Sequence, residues 1–170
     1  RQRQMCIRDR FPDAKNVGII YCSGEANSVY QADVVKAALE KSGCTVNVYK
    51  FADTNDVVSV TAAACDANDV LYIPTDNTAA SCAEAIKSAA KKPIIAGEEG
   101  ICKGCGVATL SISYYDLGVT TGKMAAKILT GEADISEMPI EFTEATPKYN
   151  ASMCETLGIE PLEGYTAIEE

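Results

Sequence analysis

The chain contains no histidine among its 170 residues. That removes the usual general base, the commonest metal ligand and every Ser-His or Cys-His pair, and so argues against hydrolase chemistry of the familiar kinds. No apolar run reaches the roughly 18 residues that mark a membrane span. No charged-then-apolar secretion signal opens the chain, which leaves either a cytosolic protein or one whose beginning lies elsewhere. Basic residues are scarce: 15 Lys and Arg stand against 24 Asp and Glu, a net charge of -9 with a pI near 4.6. Nucleic-acid binding draws its affinity from clustered Lys and Arg, so it is not expected here. Internal repeats and low-complexity linkers are absent as well.

What is present is a globular composition, 47% hydrophobic with regular punctuation, enough for one well-buried domain. The first ten residues stand apart. Of the net -9, RQRQMCIRDR contributes +3 and leaves the remainder at -12. This opening run resembles translated sequencing-adapter sequence, so residues 1–10 are set outside the fold as an extraneous or disordered basic segment, with Phe11 as the effective start.

The organising stretch is Val17 to Gln31. Val17, Ile19, Ile20 and Tyr21 read as a strand buried on both faces, and Ser23, Gly24, Glu25, Asn27 and Ser28 crowd its carboxyl end, where an open α/β sheet binds ligands. Ser28 and Gln31 have capping-box spacing, which predicts a helix from Val29 with free N–H groups facing the same crevice. Apolar positions at Tyr30, Val34, Ala37, Ala38 and Leu39 continue that helix to a left-handed Gly43. Cys44, Val46 and Val48 mark a second strand, residues 56–67 a helix, and Val70 to Ile73 a third strand ending at Pro74. A helix over 78–91, a strand at Pro93 to Ala96, a loop carrying Gly100, Gly104 and Gly106, and a strand from Val107 to Ile112 follow. Ser113 and Asp116 then cap a helix that stops at Gly131. Such alternation predicts a doubly wound parallel α/β sheet of flavodoxin-like order 2-1-3-4-5. Past Gly131, Ile140 and Phe142 read as a strand, Asn150 to Leu157 as a short helix, and Tyr165 to Ile168 as a strand without a neighbour.

Four polar clusters fall at predicted strand ends: Ser23 to Ser28, Thr75 to Asn77, Gly97 to Glu99, and Ser113 to Tyr115. Helix capping accounts for any one of them alone. Together they share one edge, and Asp76, Glu98 and Glu99, with Glu25 nearby, exceed what caps need and suit a ligand bearing an ammonium group. Tyr114 and Tyr115 offer stacking area or core packing.

The strings VGIIYCSGEANSVYQ, VLYIPTDNTAAS, PIIAGEEG and VATLSISYYDLGVTTGKMAAKILTGE resemble the ABC-transporter substrate-binding proteins of the periplasmic-binding-protein-like I class, in particular the branch associated with aromatic amino acids. The resemblance runs from about Phe11 to the end. It implies one lobe of a two-lobed clamp, with 11–144 as the ligand-binding lobe and 145–170 as a crossover tail that docks on the missing lobe. It also implies ligand contacts from Ser23, Glu25, Asn27 and Ser28, from Asp76 and Asn77, and from Glu98 or Glu99; Thr75 and Tyr114, from the same polar clusters, complete the candidate ligand-binding residues. The implied role is an extracytoplasmic, non-enzymatic component of an importer, in the periplasm or anchored as a lipoprotein. It would capture a small amino-acid-like ligand, serve a membrane permease, and need no cofactor or metal.

The rival is a flavodoxin-like nucleotide- or flavin-binding enzyme domain, since fold does not fix function. Its phosphate loop would be free of acids, and Glu25 would repel phosphate. A response regulator needs an acidic pair after the first strand, where Cys22 and Ser23 stand. Of eight cysteines, Cys102 and Cys105 form a C-x-x-C placed in a Gly-rich, hairpin-like loop. A redox pair should open a helix, and a four-ligand zinc site needs a second pair, so most of the cysteines read as small buried hydrophobes.

Overall fold

The computed structural model describes residues 7, 8, 10–160 and 163–169. Its strands are β1 (Asn16–Cys22), β2 (Thr45–Phe51), β3 (Val70–Ile73), β4 (Ile94–Ala96), β5 (Ala108–Ile112), β6 (Ala145–Tyr149) and β7 (Thr166–Ala167). Between them run α1 (Ala26–Lys41), α2 (Val57–Ala67), α3 (Asn77–Ser81), α4 (Ala83–Ala89), α5 (Glu99–Cys105), α6 (Tyr114–Leu129) and α7 (Ala151–Leu157). One sheet holds the strands in the order β2-β1-β3-β4-β5-β6-β7. The first five are parallel, in the order the alternation predicts.

Alternate strand residues serve opposite faces. Val17, Ile19, Tyr72 and Ile95 pack with Ala32, Val35 and Leu39 of α1 and with Met153 and Cys154 of α7. Ile20, Leu71, Ile73 and Ile94 pack with Val57 of α2, Ile86 of α4, and Ile101, Cys102 and Cys105 of α5. Each fully buried Ile or Leu contributes about 1.5–3 kcal/mol, which fixes the register of a sheet covered on both sides.

Several expectations are corrected. The opening run is not wholly outside the fold: Ile7 is fully buried in the α1-side core, and Arg10 lies 4.6 Å from the centre of the Tyr165 ring. The rest of that reading, residues 1–6 and 9, lies outside the described residues. The tail expected to dock on an absent lobe instead extends this sheet. β6 pairs antiparallel with β5, β7 pairs with β6, and α7 is capped by the Asn150 side chain, whose Oδ1 accepts the Met153 N–H at 3.1 Å. Ile140 and Phe142 are not in a strand, and both are exposed. The helix over 78–91 breaks at Cys82 into α3 and α4. The Gly-rich loop of the C-x-x-C is the helix α5, with both thiols in its later part rather than at its start.

Helix α6 is the exception to the packing. Ser113 caps it by accepting the Asp116 N–H at 3.1 Å, and Gly131 ends it at φ +75. Yet none of its 16 residues is buried. Thr121, Met124, Ala125 and Ile128 line an open groove of about 330 Å³ with Ile135, Met138 and Ile140.

Candidate functional site

The carboxyl ends of β1, β3 and β4 converge because their loops are bonded to each other. Gly97 makes the closest approach possible: a Cβ there would stand 2.5 Å from the Pro74 carbonyl carbon and the Thr75 nitrogen, so only glycine fits. The Thr75 hydroxyl donates to the Gly97 carbonyl at 3.3 Å. From the other side α1 grips the Thr75 peptide. Asn27 Nδ2 and Ser28 Oγ donate to its carbonyl at 2.8 and 3.0 Å, and its N–H donates to Gln31 Oε1 at 3.2 Å.

This overturns the capping-box reading of Ser28 and Gln31. Helix α1 begins at Ala26, three residues earlier than expected, and both side chains point sideways to the neighbouring loop. The N-cap position is Glu25, whose side chain does not cap its own helix. Its carboxylate crosses to α3, where it accepts the Asn77 N–H at 3.0 Å and the Thr78 N–H and hydroxyl at 2.7 Å each. Burial pushes the Glu25 pKa up, but these hydrogen bonds outweigh it and hold the carboxyl below its ordinary value of 4.5.

The other acids are engaged in the same way. Asp76, 1% exposed, accepts the Ala79 N–H at 2.8 Å as the cap of α3 and the Cys22 N–H at 2.7 Å. Glu98 caps α5 by accepting the N–H groups of Gly100, at 2.8 Å, and Ile101. Glu99 pairs with Lys148 of β6 at 2.7 Å. The structure thus brings Ser23, Glu25, Asn27, Ser28, Thr75, Asp76 and Asn77 together as one wall. It does not leave a free acidic edge, and Glu98 and Glu99 face their own helix start and β6. Tyr114, 59% exposed, stands with Tyr115 at the start of α6 beyond β5. Gln31 and Thr78 belong to the wall and were missed as site residues. The signal for Thr78 was its place two residues after an N-cap Asp, facing an acid that its own helix does not need.

What stays open is the amino end of α1. Among the described residues the N–H groups of Gly24, Ala26 and Asn27 have no acceptor, and the first turn of α1 holds no acid. A 16-residue helix presents about half a positive charge there. Such an end receives a carboxylate or another small anion. No group of three or more His, Cys, Asp or Glu side chains among the described residues is arranged to hold a metal, and no helix of the described residues is long and apolar enough to cross a membrane.

Comparison with known proteins agrees with this architecture. The family model described as "ABC transporter substrate binding protein" matches residues 2–163. A tyrosine-binding protein of Clostridioides difficile (strain R20291) is 31% identical over 143 residues, 82% of this chain and 41% of that protein. An "ABC domain" from Streptococcus pneumonia, solved in complex with L-Trp, superposes with a TM-score of 0.85 at 31% identity, covering 98% of this chain and 59% of that one. A ligand-free, open substrate binding protein with adhesive properties from Clostridium difficile gives 0.81 at 32%, covering 96% and 57%. The chain therefore spans about two fifths of the curated relative and under three fifths of the solved ones.

Proposed function

Because the chain belongs to the ABC transporter substrate-binding protein family, we propose that it forms one lobe of a two-lobed, extracytoplasmic binding protein that captures an amino acid, aromatic ones included, for an ABC importer. The observation that carries this reading is the open amino end of α1, set in a wall whose acids, Glu25 and Asp76, are already paired. The ligand's carboxylate sits on the free N–H groups of Gly24, Ala26 and Asn27, with Ser23 and the Asn77 side chain at the rim and the ring of Tyr114 available to an aromatic side chain. Glu25, Asp76, Glu98 and Glu99 are all engaged within this lobe, so the partner of the ammonium group comes from the facing lobe. The aromatic class is supported by relatives that bind tyrosine or hold L-Trp.

In this reading the bare face of α6 and the groove against Ile135, Met138 and Ile140 meet the portion of the relatives that has no counterpart here. Residues 145–160 and 163–169 remain with this lobe. The complete protein works outside the cytoplasm, in the periplasm or as a lipoprotein, and hands its ligand to a membrane permease. It catalyses no reaction.

A micromolar clamp complex corresponds to about -8 kcal/mol, and a single lobe making half the contacts falls to roughly millimolar. Titration of the ¹⁵N-labelled chain with L-tryptophan, L-phenylalanine and L-tyrosine should move the Gly24, Ala26 and Asn27 amide signals with a Kd in that range. Tryptamine, which lacks the carboxylate, should leave them in place. Equal shifts with tryptamine, or shifts confined to another surface, would refute the assignment.

A further inference from the structure

Glu25 stands at the position where a helix takes its own cap, and it does not cap that helix. Serine, threonine, aspartate and asparagine are the residues that reach back to the N2 or N3 amide from there. Glutamate is one methylene longer than aspartate, and here its carboxylate extends past its own helix to three donors at the start of α3. A reciprocal bond runs the other way: Asp76, the cap of α3, accepts the Cys22 N–H at the end of β1. Each of the two loops is therefore held by an acid that belongs to the other. Two consequences follow from the direction of the Glu25 side chain. Its charge is answered by α3 rather than left beside the open end of α1, and that end keeps its free N–H groups.

We propose that Glu25 is a positioning residue, a cross-cap that locks the β1–α1 and β3–α3 loops into one wall and keeps the amino end of α1 open. The ligand role of that end rests on the function proposed above, whereas the cross-cap itself does not. Glu25 does not touch the ligand; it acts through Asn77 and Thr78. Asp76 is the titratable group beside it.

Length and charge separate this role from a direct contact. Glu25→Gln keeps the reach and an acceptor oxygen, so α1 stays open. Glu25→Asp keeps the charge but is too short for α3, and it is well placed to cap α1 itself, closing the end that the ligand needs. The cross-cap predicts that Glu25→Asp weakens L-tryptophan binding by at least about tenfold while Glu25→Gln stays within about threefold. A carboxylate that paired with the ligand's ammonium group would give the opposite order, and that order overturns the proposal.

Amide exchange tests the cross-cap without any ligand. In Glu25→Asp, Asn77 and Thr78 should lose protection while Asn27 or Ser28, the N2 and N3 amides of α1, gains it. In the unaltered chain the Thr78 amide signal should titrate with a midpoint below 4.5, and this transition should vanish in Glu25→Gln. If the unaltered chain shows no ligand-induced shifts at α1, the proposed function fails, and the exchange pattern alone decides the cross-cap. Unchanged protection at all four amides in Glu25→Asp overturns it.

Discussion

Asp76 lies at the start of α3 but accepts a hydrogen bond from Cys22, the last residue of β1, at 2.7 Å, while its other oxygen accepts the Ala79 N–H at 2.8 Å. A carboxylate 1% exposed, with a backbone N–H on each oxygen, is held inside the protein rather than presented at the open edge. The ammonium-binding role expected of it from the sequence gives way to a structural one. The cluster Thr75 to Asn77 still lies at the site, but as its foundation.

Asp76→Ala should therefore act on stability. Loss of the α3 cap costs about 0.5–2 kcal/mol. The buried Cys22 N–H left without an acceptor costs about 1–3 kcal/mol more. A total of about 1.5–5 kcal/mol is expected in urea unfolding, with Asp76→Asn intermediate because its one carbonyl oxygen answers only one of the two donors. Glu99→Ala, which removes a partly exposed pair with Lys148, should cost about 0–1 kcal/mol. Equal effects of Asp76→Ala and Glu99→Ala would contradict the distinction drawn between these acids.

The parts of the fold that sequence reasoning reached are those with local signals. β1 and β3 are apolar runs buried on both faces, and Ser113 and Asn150 cap within their own helices, so pattern and spacing were enough. It failed where the partner is distant in sequence. Glu25, Ser28 and Gln31 bond 44 to 53 residues away, so their spacing imitates a capping box without being one. Gly100, Gly104 and Gly106 looked like loop signals. A Cβ on Gly104, however, would stand 2.3 Å from the Ala83 Cβ, so glycine is there to let α4 and α5 meet. β6 was hidden by Pro147, which faces Leu110 of β5. Its missing N–H is tolerated because β7 pairs only with Lys148 and Tyr149.

The thiols of α5 supply a second test. Burial raises both Cys102 and Cys105, reinforced at Cys102 by Cys105 and at Cys105 by Glu84, with Cys105 pushed up to about 12. The nucleophile is the thiolate, which is therefore almost absent at pH 8. Both cysteines should resist iodoacetamide in the folded chain and react once guanidinium unfolds it, as read by mass spectrometry of the labelled peptides. Cys102→Ser, which buries a hydroxyl at a fully buried position, should cost about 1–3 kcal/mol, and Cys102→Ala less. Rapid native labelling of either residue would contradict the inert, structural role.

The last test concerns α6, which carries Gly118 and Gly122 in its interior although a Cβ at either would meet nothing within 4 Å. Glycine in a helix interior costs about 0.8–1 kcal/mol relative to alanine, chiefly through backbone entropy. Nothing in this lobe requires those two glycines. Gly118→Ala and Gly122→Ala should each stabilise α6 in the isolated chain by about 0.5–1 kcal/mol, visible as slower amide exchange between Leu117 and Ile128. In the two-lobed protein proposed above the same changes should act in reverse if the facing lobe packs closely over this stretch, because an added methyl group in a tight contact costs about 1–3 kcal/mol through overpacking. The sign reversal between the two forms is the expected result. Stabilisation of the same size in both would show that the glycines lie outside the interlobe contact, and would move that contact to the groove around Met124, Ile128 and Ile140.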